Sequence, residues 1–332
     1  MFQAFSHEQT RILINLEQQY EVWIEAERAL LEMPYDLRRK EVGGRSYLYE
    51  IYDRGGNGRS LGPWSPEHAE TFETYKRDKD AAKRRRAMSG DLLAETAKVG
   101  RALRLPLLAS EAGEIAREAD RRRLLGSQLL VVGTNAVVAY SLEAAGFIRE
   151  APMETQDFDL AWASTEPSTG HQVVWEMLKA VDPTFTVNME RTFQARNSKA
   201  YEVELLVAPS RAHTLAIKDR PRPVPLPEQE WLLNGRSVDH VAICRDGSPA
   251  RIVAPDPRWF ALQKLWMSRQ TKRNPLKRRK DEAQGLAILD AVVVAMPHYT
   301  LDADFEASLP LELVEVYSNW DARRPQTPSR KW

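Results

Sequence analysis

Cysteine is almost absent. Cys244 is the only one in 332 residues, which excludes an internal disulfide and a cysteine-built zinc site. Long apolar runs are also missing. None approaches the ~18–20 residues of a membrane span, so no membrane partner is expected. The first residues, Met1 to Glu8, lack a basic stretch followed by an apolar one, and a cytoplasmic location is the expectation. Net charge is lacking as well: 47 Lys and Arg balance 47 Asp and Glu, so the molecule as a whole is no magnet for nucleic acid. The six histidines are scattered without metal-ligand spacing. A Gly-x-Ser-x-Gly elbow, a P-loop and a Gly-x-Gly-x-x-Gly fingerprint are all absent, which removes the commonest hydrolase, NTPase and dinucleotide signatures. No internal repeat is visible. What remains is an ordinary soluble composition, 43% apolar and 28% charged, long enough for two or three domains of roughly 100–200 residues.

The charge balance does not hold locally. Residues 76–86 hold seven basic side chains against Asp78 and Asp80, and 269–280 hold seven with no acid. Either stretch could serve a polyanion such as a nucleic-acid acceptor, and either could be a solvated helix face.

The spacing predicts a mainly helical region over 1–126. Ile12, Leu16, Tyr20, Trp23, Ile24 and Leu31 recur with helical period until Pro34. Glycine turns around Tyr47-Leu48-Tyr49 read as a strand or hairpin and then an exposed loop within 43–63. Ser65 reads as an N-cap with Pro66 in the first helical position, and further helix is expected over 91–103 and 108–125. From 127 to 255 the character changes to strands. Leu129 to Val132 is a short buried run ending in Gly133, and a helix is expected from Thr134 to Ala145 with Gly146 as its cap. A strand covers Phe158, Leu160 and Trp162, a helix roughly 170–180, and strands lie near 184–194, 200–208, 238–244 and 250–254. Pro221 to Pro227 reads as a linker or surface loop. Asp256 caps a helix at Pro257, and 256–332 is otherwise helical with a polar end from Arg323.

Three features of the middle segment carry chemistry. Gly133-Thr134-Asn135 joins a strand to a helix start, where free amides and a hydroxyl can hold a phosphate. Asp157 and Asp159 alternate with Phe158 and Leu160, so both carboxylates share one strand face. Such a pair suits a divalent cation such as Mg2+ or Mn2+, and by itself suits a solvated strand face equally. Glu202 and Glu204 alternate in the same way with Tyr201, Val203 and Leu205. Either could supply the third acid, with Glu204 deeper in the apolar run.

Together Val131-Val132-Gly133-Thr134-Asn135, Gln156-Asp157-Phe158-Asp159-Leu160 and Val203-Glu204-Leu205-Leu206 resemble the polymerase-beta-type nucleotidyltransferase superfamily. Gln156 stands where the pattern has an apolar residue. Tyr47-Leu48-Tyr49, Arg59 to Pro63, Arg258 to Trp266 and Lys277-Arg278-Arg279-Lys280-Asp281 look like a poorly characterised bacterial branch of it. The resemblance implies an α/β fold: a small mixed sheet flanked by helices, with helical N-terminal and C-terminal regions. It also implies a catalytic core over 127–255. Asp157, Asp159 and Glu204 would be the catalytic and metal-binding acids. Gly133, Thr134, Asn135 and Lys264 would bind a nucleoside triphosphate such as ATP. Without it, Lys264 reads as a surface lysine covering apolar area with its stem.

The expected reaction is magnesium-dependent transfer of a nucleoside monophosphate to an acceptor hydroxyl. Two alternatives stay open: a toxin or phage-defence enzyme modifying tRNA or protein, and a non-catalytic nucleotide- or nucleic-acid-binding module. The sequence leaves the base, the acceptor and the oligomeric state open.

Overall fold

The computed structural model describes residues 2–152, 157–167 and 173–323. Thr155 and Gln156 of the motif, His171, the start of the helix expected from 170 and all but Arg323 of the polar end lie outside the described residues.

The chain divides into two compact units, 14–99 and 1–13 with 100–332. In chain order, Phe2–Ala4 forms β1 and His7–Glu32 forms α1. A reciprocal cap opens α1: Ser6 N donates to Gln9 Oε1 (2.8 Å) and Gln9 N to Ser6 Oγ (3.2 Å), satisfying two orphan donors. Asp36–Val42 (β2), Arg45–Ile51 (β3) and Gly58–Pro63 (β4) then form an antiparallel sheet. The exposed loop expected after one hairpin is therefore corrected. Gly43 and Gly44 both take positive φ (57° and 75°) and turn β2 into β3, a geometry whose twist matches the strands. Asp53 accepts from Asn57 N (3.1 Å) and Asn57 Nδ2 (2.8 Å) in the next turn, which lets 58–63 pair back as a third strand. The helix capped by Ser65, whose Oγ accepts from His68 N (3.2 Å), is one continuous α2, Pro66–Ala102. Within the 14–99 unit Leu16, Tyr20, Ile24, Leu48, Ile51 and Leu93 are buried.

The larger unit continues with β5 (Leu107–Leu108), α3 (Ser110–Arg121) and β6 (Leu129–Val132). Gly133–Asn135 is a single 3-10 turn, and α4 runs only from Ala136 to Glu143. Ala145, not Gly146, takes the left-handed conformation that ends it (φ 45°), and Gly146–Ile148 is β7, paired with β1. Then follow β8 (Asp157–Trp162), α5 (Val173–Val181), β9 (Thr186–Val187), β10 (Gln194–Arg196) and β11 (Glu202–Val207). The proline-rich segment is not a linker. Pro221 and Pro223 are buried, and Val224–Pro225 forms β12 beside Leu206 and Val207. Prolines suit that place, a sheet edge where a strand needs no donor. A 3-10 stretch over Pro227–Leu233 leads to β13 (Val238–Cys244) and β14 (Pro249–Ala254). Helices α6 (Pro257–Ser268), α7 (Pro275–Ala295), α8 (Ala303–Ala307) and α9 (Leu311–Asp321) complete the described chain.

The central sheet has the order β6-β8-β11-β10-β9, with β12 on the free end of β11. It is mixed: β6 and β10 run antiparallel to their neighbours, whereas β8 and β11 are parallel. A smaller sheet, β14-β13-β5, packs on α4, and α7 packs along α6. This is a mixed α/β fold with helices flanking small sheets. Among the described residues no helix is long and apolar enough to cross a membrane.

Candidate active site

The parallel pairing of β8 and β11 aligns the acids. Asp157 lies opposite Glu202, and Asp159 opposite Glu204. Phe158, Leu160, Val203 and Leu205 are fully buried between them. This strict alternation fixes the register, because a one-residue slip would bury the carboxylates and expose the apolar set. On the other side of β8, Val132 pairs with Asp159, so the next residue, Gly133, meets that carboxylate. Gly133 has φ 67°, and a Cβ there would stand 1.9 Å from Asp159 Oδ2. The glycine thus serves a left-handed turn and a close approach at once.

Asp157, Asp159 and Glu204 line one cavity of about 130 Å3, together with Gly133 and Thr134. That volume is below the ~300–1,000 Å3 of whole-ligand pockets and suits phosphate groups and cations. Glu202 lies outside it, ion-paired to Arg196. Gln194 bridges the two glutamates, with Nε2 donating to Glu202 Oε2 (2.8 Å) and Glu204 Oε1 (3.0 Å).

The opposite wall is cationic and comes from α6, α7 and the segment between them: Lys264, Arg273, Lys277 and Lys280. Lys264 is 5% exposed, and its Nζ donates to Asp281 Oδ1 at 3.0 Å. Arg273 Nε donates to Asp281 Oδ2 at 2.9 Å. Asp281 is fully buried, so its carboxylate holds two cations at the cavity wall, a charge-assisted arrangement. Lys277 Nζ stands 3.9 Å from Asp157 Oδ2. A third wall is apolar with amides: Leu226, Leu232, Met267, Gln229 and Gln263. Gln263 Nε2 donates to Glu228 O (3.1 Å), and the buried Gln229 Oε1 has no partner among the described residues.

Crowding shifts the acids. Burial first, then the Asp157 and Glu204 charges, raise Asp159 to about 7, while Lys264 and Lys277 pull it back. Burial likewise raises Glu204, against the Gln194 hydrogen bond and Lys277. Lys280 is lowered, chiefly by burial. Both acids are penalised for carrying charge in the protein alone, a state that a cation would relieve. The donors are hard carboxylate oxygens, the chemistry that suits Mg2+ or Mn2+. Among the described residues no three side chains already converge into a metal cage.

The structure therefore brings Asp157, Asp159, Glu204, Gly133, Thr134 and Lys264 to one cavity. Asn135 points elsewhere: it is buried, and its Nδ2 donates to Asp157 O at 2.9 Å, tying the turn to β8. Thr134 Oγ1 accepts from Gln284 Nε2 at 3.4 Å. Sequence reasoning gave Asp281 and Gln284 no role and left Arg273, Lys277 and Lys280 within a basic run that could serve a polyanion or be a solvated helix face. The signal was present: 277, 280, 281, 284 and 288 fall on one helical stripe whose later members are buried.

The model of a nucleotidyltransferase family matches residues 110–309, which contain this whole cavity. The chain belongs to that nucleotidyltransferase family. No curated protein matches it, and neither does any solved structure. Family membership implies nucleotidyl transfer and a nucleotide substrate.

Proposed function

We propose that this family member is a magnesium-dependent nucleotidyltransferase of the polymerase-beta type, from its bacterial branch, moving a nucleoside monophosphate from a triphosphate to an acceptor hydroxyl. The observation that carries the reading is the single cavity in which Asp157, Asp159 and Glu204 face Lys264, Arg273, Lys277 and Lys280 across Gly133. Carboxylates alone would repel a triphosphate and cations alone would bind one inertly; the two walls together suit chemistry on a metal-bound phosphate.

Asp157, Asp159 and Glu204 would hold the metal. When bound, divalent metal neutralises phosphate charge and makes a hydroxyl easier to deprotonate. The chain's own groups do the rest. Lys264 and Arg273, fixed by Asp281, hold the β- and γ-phosphates together with Lys277 and Lys280, and stabilise the pyrophosphate as it leaves. The Gly133 turn lets backbone approach the phosphates closely, with the Thr134 hydroxyl beside them. The acceptor oxygen bonds to the α-phosphorus as the bond to the β-phosphate oxygen breaks. Its proton would pass to a carboxylate oxygen of Asp159 or Glu204, the acids that line the cavity beside Gly133.

The test is incubation with each α-labelled nucleoside triphosphate, magnesium and total cellular RNA or protein, comparing wild type with Asp157→Asn. Label should enter an acceptor fraction only with wild type and metal. A folded wild-type protein that neither binds nor transfers any triphosphate would leave a non-catalytic module instead.

A further inference from the structure

The 14–99 unit holds a second cationic concavity. It has a volume of about 650 Å3 and is lined from the end of α1, from β2, from the turn after β3 and from α2. Six cations line it, Arg38, Arg54, Lys76, Lys79, Lys83 and Arg86, against the carboxylates of Asp36 and Asp80. We propose that this cavity binds single-stranded nucleic acid through its phosphates, with Tyr35 as a stacking platform for a base.

Helix periodicity sets the argument. Lys76, Lys79, Lys83 and Arg86 recur at steps of three and four, so they form one stripe along α2, roughly 15 Å long at 1.5 Å per residue. Like charges at these spacings destabilise a helix, and a stripe of them is retained against that cost. Asp80 offsets part of it, Arg38 is paired to Asp36 at 2.7 Å, and Arg86 lies 3.7 Å from Glu27. Arg54, Lys76 and Lys83 have no acidic partner among the described residues, so three cations stand ready for an anion. Lys79 is pinned in place. It donates to Tyr35 O and to Tyr75 OH (2.5 Å), so its charge is positioned rather than floppy.

Charge alone would fit any polyanion; the aromatic side of the cavity narrows the class. Tyr35 is 46% exposed at the cavity edge, with the Lys79 ammonium 5.8 Å from its ring centroid. A cationic groove with an open aromatic ring matches the way unpaired strands are held, by backbone charge and base stacking. An acidic protein surface would use the cations and leave the ring without a role. The site lies wholly outside the 110–309 family match. Binding there is independent of the transfer chemistry; naming the bound strand as the acceptor rests on the proposed function and is tested separately by the labelling assay.

The experiment is fluorescence anisotropy on the full-length protein in EDTA, without nucleotide, using fluorescein-labelled 12-mers of U and of dT between 50 and 300 mM KCl. Binding should weaken steeply with salt, as neutralised phosphates release counterions. Arg54→Glu and Lys83→Glu should each weaken it at least tenfold and flatten the salt slope, with melting temperatures unchanged. Tyr35→Ala should cost roughly tenfold with the slope kept, since stacking releases no ions. Absence of salt-dependent binding would overturn the proposal. So would unaltered binding by folded Arg54→Glu and Lys83→Glu, or loss of binding through Lys277→Glu instead. Equal affinity for a poly-glutamate peptide, with Tyr35→Ala unaffected, would reassign the cavity to an acidic protein.

Discussion

Replacing Gly133 by alanine tests the link between the turn and the acid it touches. Two costs are separable. Gly133 has φ 67°, where an L-residue pays ~1–2 kcal/mol in any surroundings. A Cβ would also stand 1.9 Å from Asp159 Oδ2, 2.8 Å from its Cγ and 3.0 Å from its Cβ. The carboxylate must therefore leave its place, an off-rotamer move worth about 0.5–1.5 kcal/mol. Gly133→Ala should lose about 1.5–3.5 kcal/mol in total. In an Asp159→Ala background only the Asp159 Cβ contact remains, and the same substitution should cost about 1–2 kcal/mol. Denaturant unfolding of the four proteins closes the cycle, and the substitution should cost roughly 0.5–1.5 kcal/mol less in the Asp159→Ala background than in wild type. Transfer activity of Gly133→Ala should be lost because Asp159 is displaced, even at temperatures where the protein is folded. Equal costs in the two backgrounds, or an active Gly133→Ala, would refute the reasoning. A bulkier Gly133→Val is a poorer probe, because its first effect falls on Asp159 and the backbone rather than on a bound phosphate.

Asp159 is raised to about 7 by burial and two neighbouring acids. The folded state thus holds a proton that the unfolded state has released, and the metal-free protein should lose stability as pH rises from about 4 to about 7, by on the order of 2–4 kcal/mol. Unfolding in EDTA at pH 5 and pH 8 checks the sign, and Asp159→Asn should flatten the slope, leaving the part that the raised Glu204 contributes, and abolish transfer. Asp281→Asn should destabilise by ~3–5 kcal/mol, because it leaves Lys264 buried without its counter-charge; Asp281→Leu with Lys264→Met should recover much of that stability but not triphosphate binding, measured by calorimetry. Glu143 accepts from His240 Nε2 (2.5 Å) and His298 Nε2 (2.6 Å), and the His240 bond foremost lowers its carboxyl. Its stabilisation should be present above about pH 4.5 and fade as pH falls through the lowered folded value, so Glu143→Gln should cost ~1–3 kcal/mol at pH 7 and progressively less as the pH is taken down through that value.

The parts of the site that could be read in advance are those set by local period. Alternation in Asp157 to Leu160 and in Glu202 to Leu205 gives each strand a carboxylate face without reference to anything distant. Parallel pairing then puts the two faces edge to edge. Helix α1 and the Asp256 cap, whose Oδ1 accepts from Arg258 N at 2.9 Å, are local in the same sense. The errors fall where a distant partner decides. Pro221 to Pro227 is built like a linker, and only the free edge of β11 makes Val224 and Pro225 a strand. Gly146 looks like a helix cap until β1, from the far end of the chain, pairs with it. Lys264 by its own helix pattern is a surface lysine; its burial depends on Asp281, 17 positions away. The 269–280 run stays open between a polyanion site and a solvated face because the acids it meets, Asp157 and Asp281, are brought to it by the fold.

The same pairing offsets the concentrated charge of the cavity. The cavity wall carries Asp157, Asp159, Glu204 and Glu228 against Lys264, Arg273, Lys277 and Lys280, so acids and cations balance, with Asp281 behind them. A triphosphate alone would bring negative charge beside four carboxylates, and a divalent cation alone would bring positive charge opposite four basic side chains. On the proposed function the two would roughly cancel when they enter together: Asp157, Asp159 and Glu204 would hold the metal, and Lys277, 3.9 Å from Asp157 Oδ2, would be free to turn to phosphate. Each ligand thereby removes the repulsion that the other meets, and such coupling is reciprocal. Triphosphate affinity should rise at least tenfold on adding magnesium, and magnesium affinity by the same factor on adding triphosphate. Lys277→Met should shrink that factor by removing one of the groups that changes partner. Titration calorimetry in both orders measures it, and two affinities each indifferent to the other ligand would show that the opposed walls act separately.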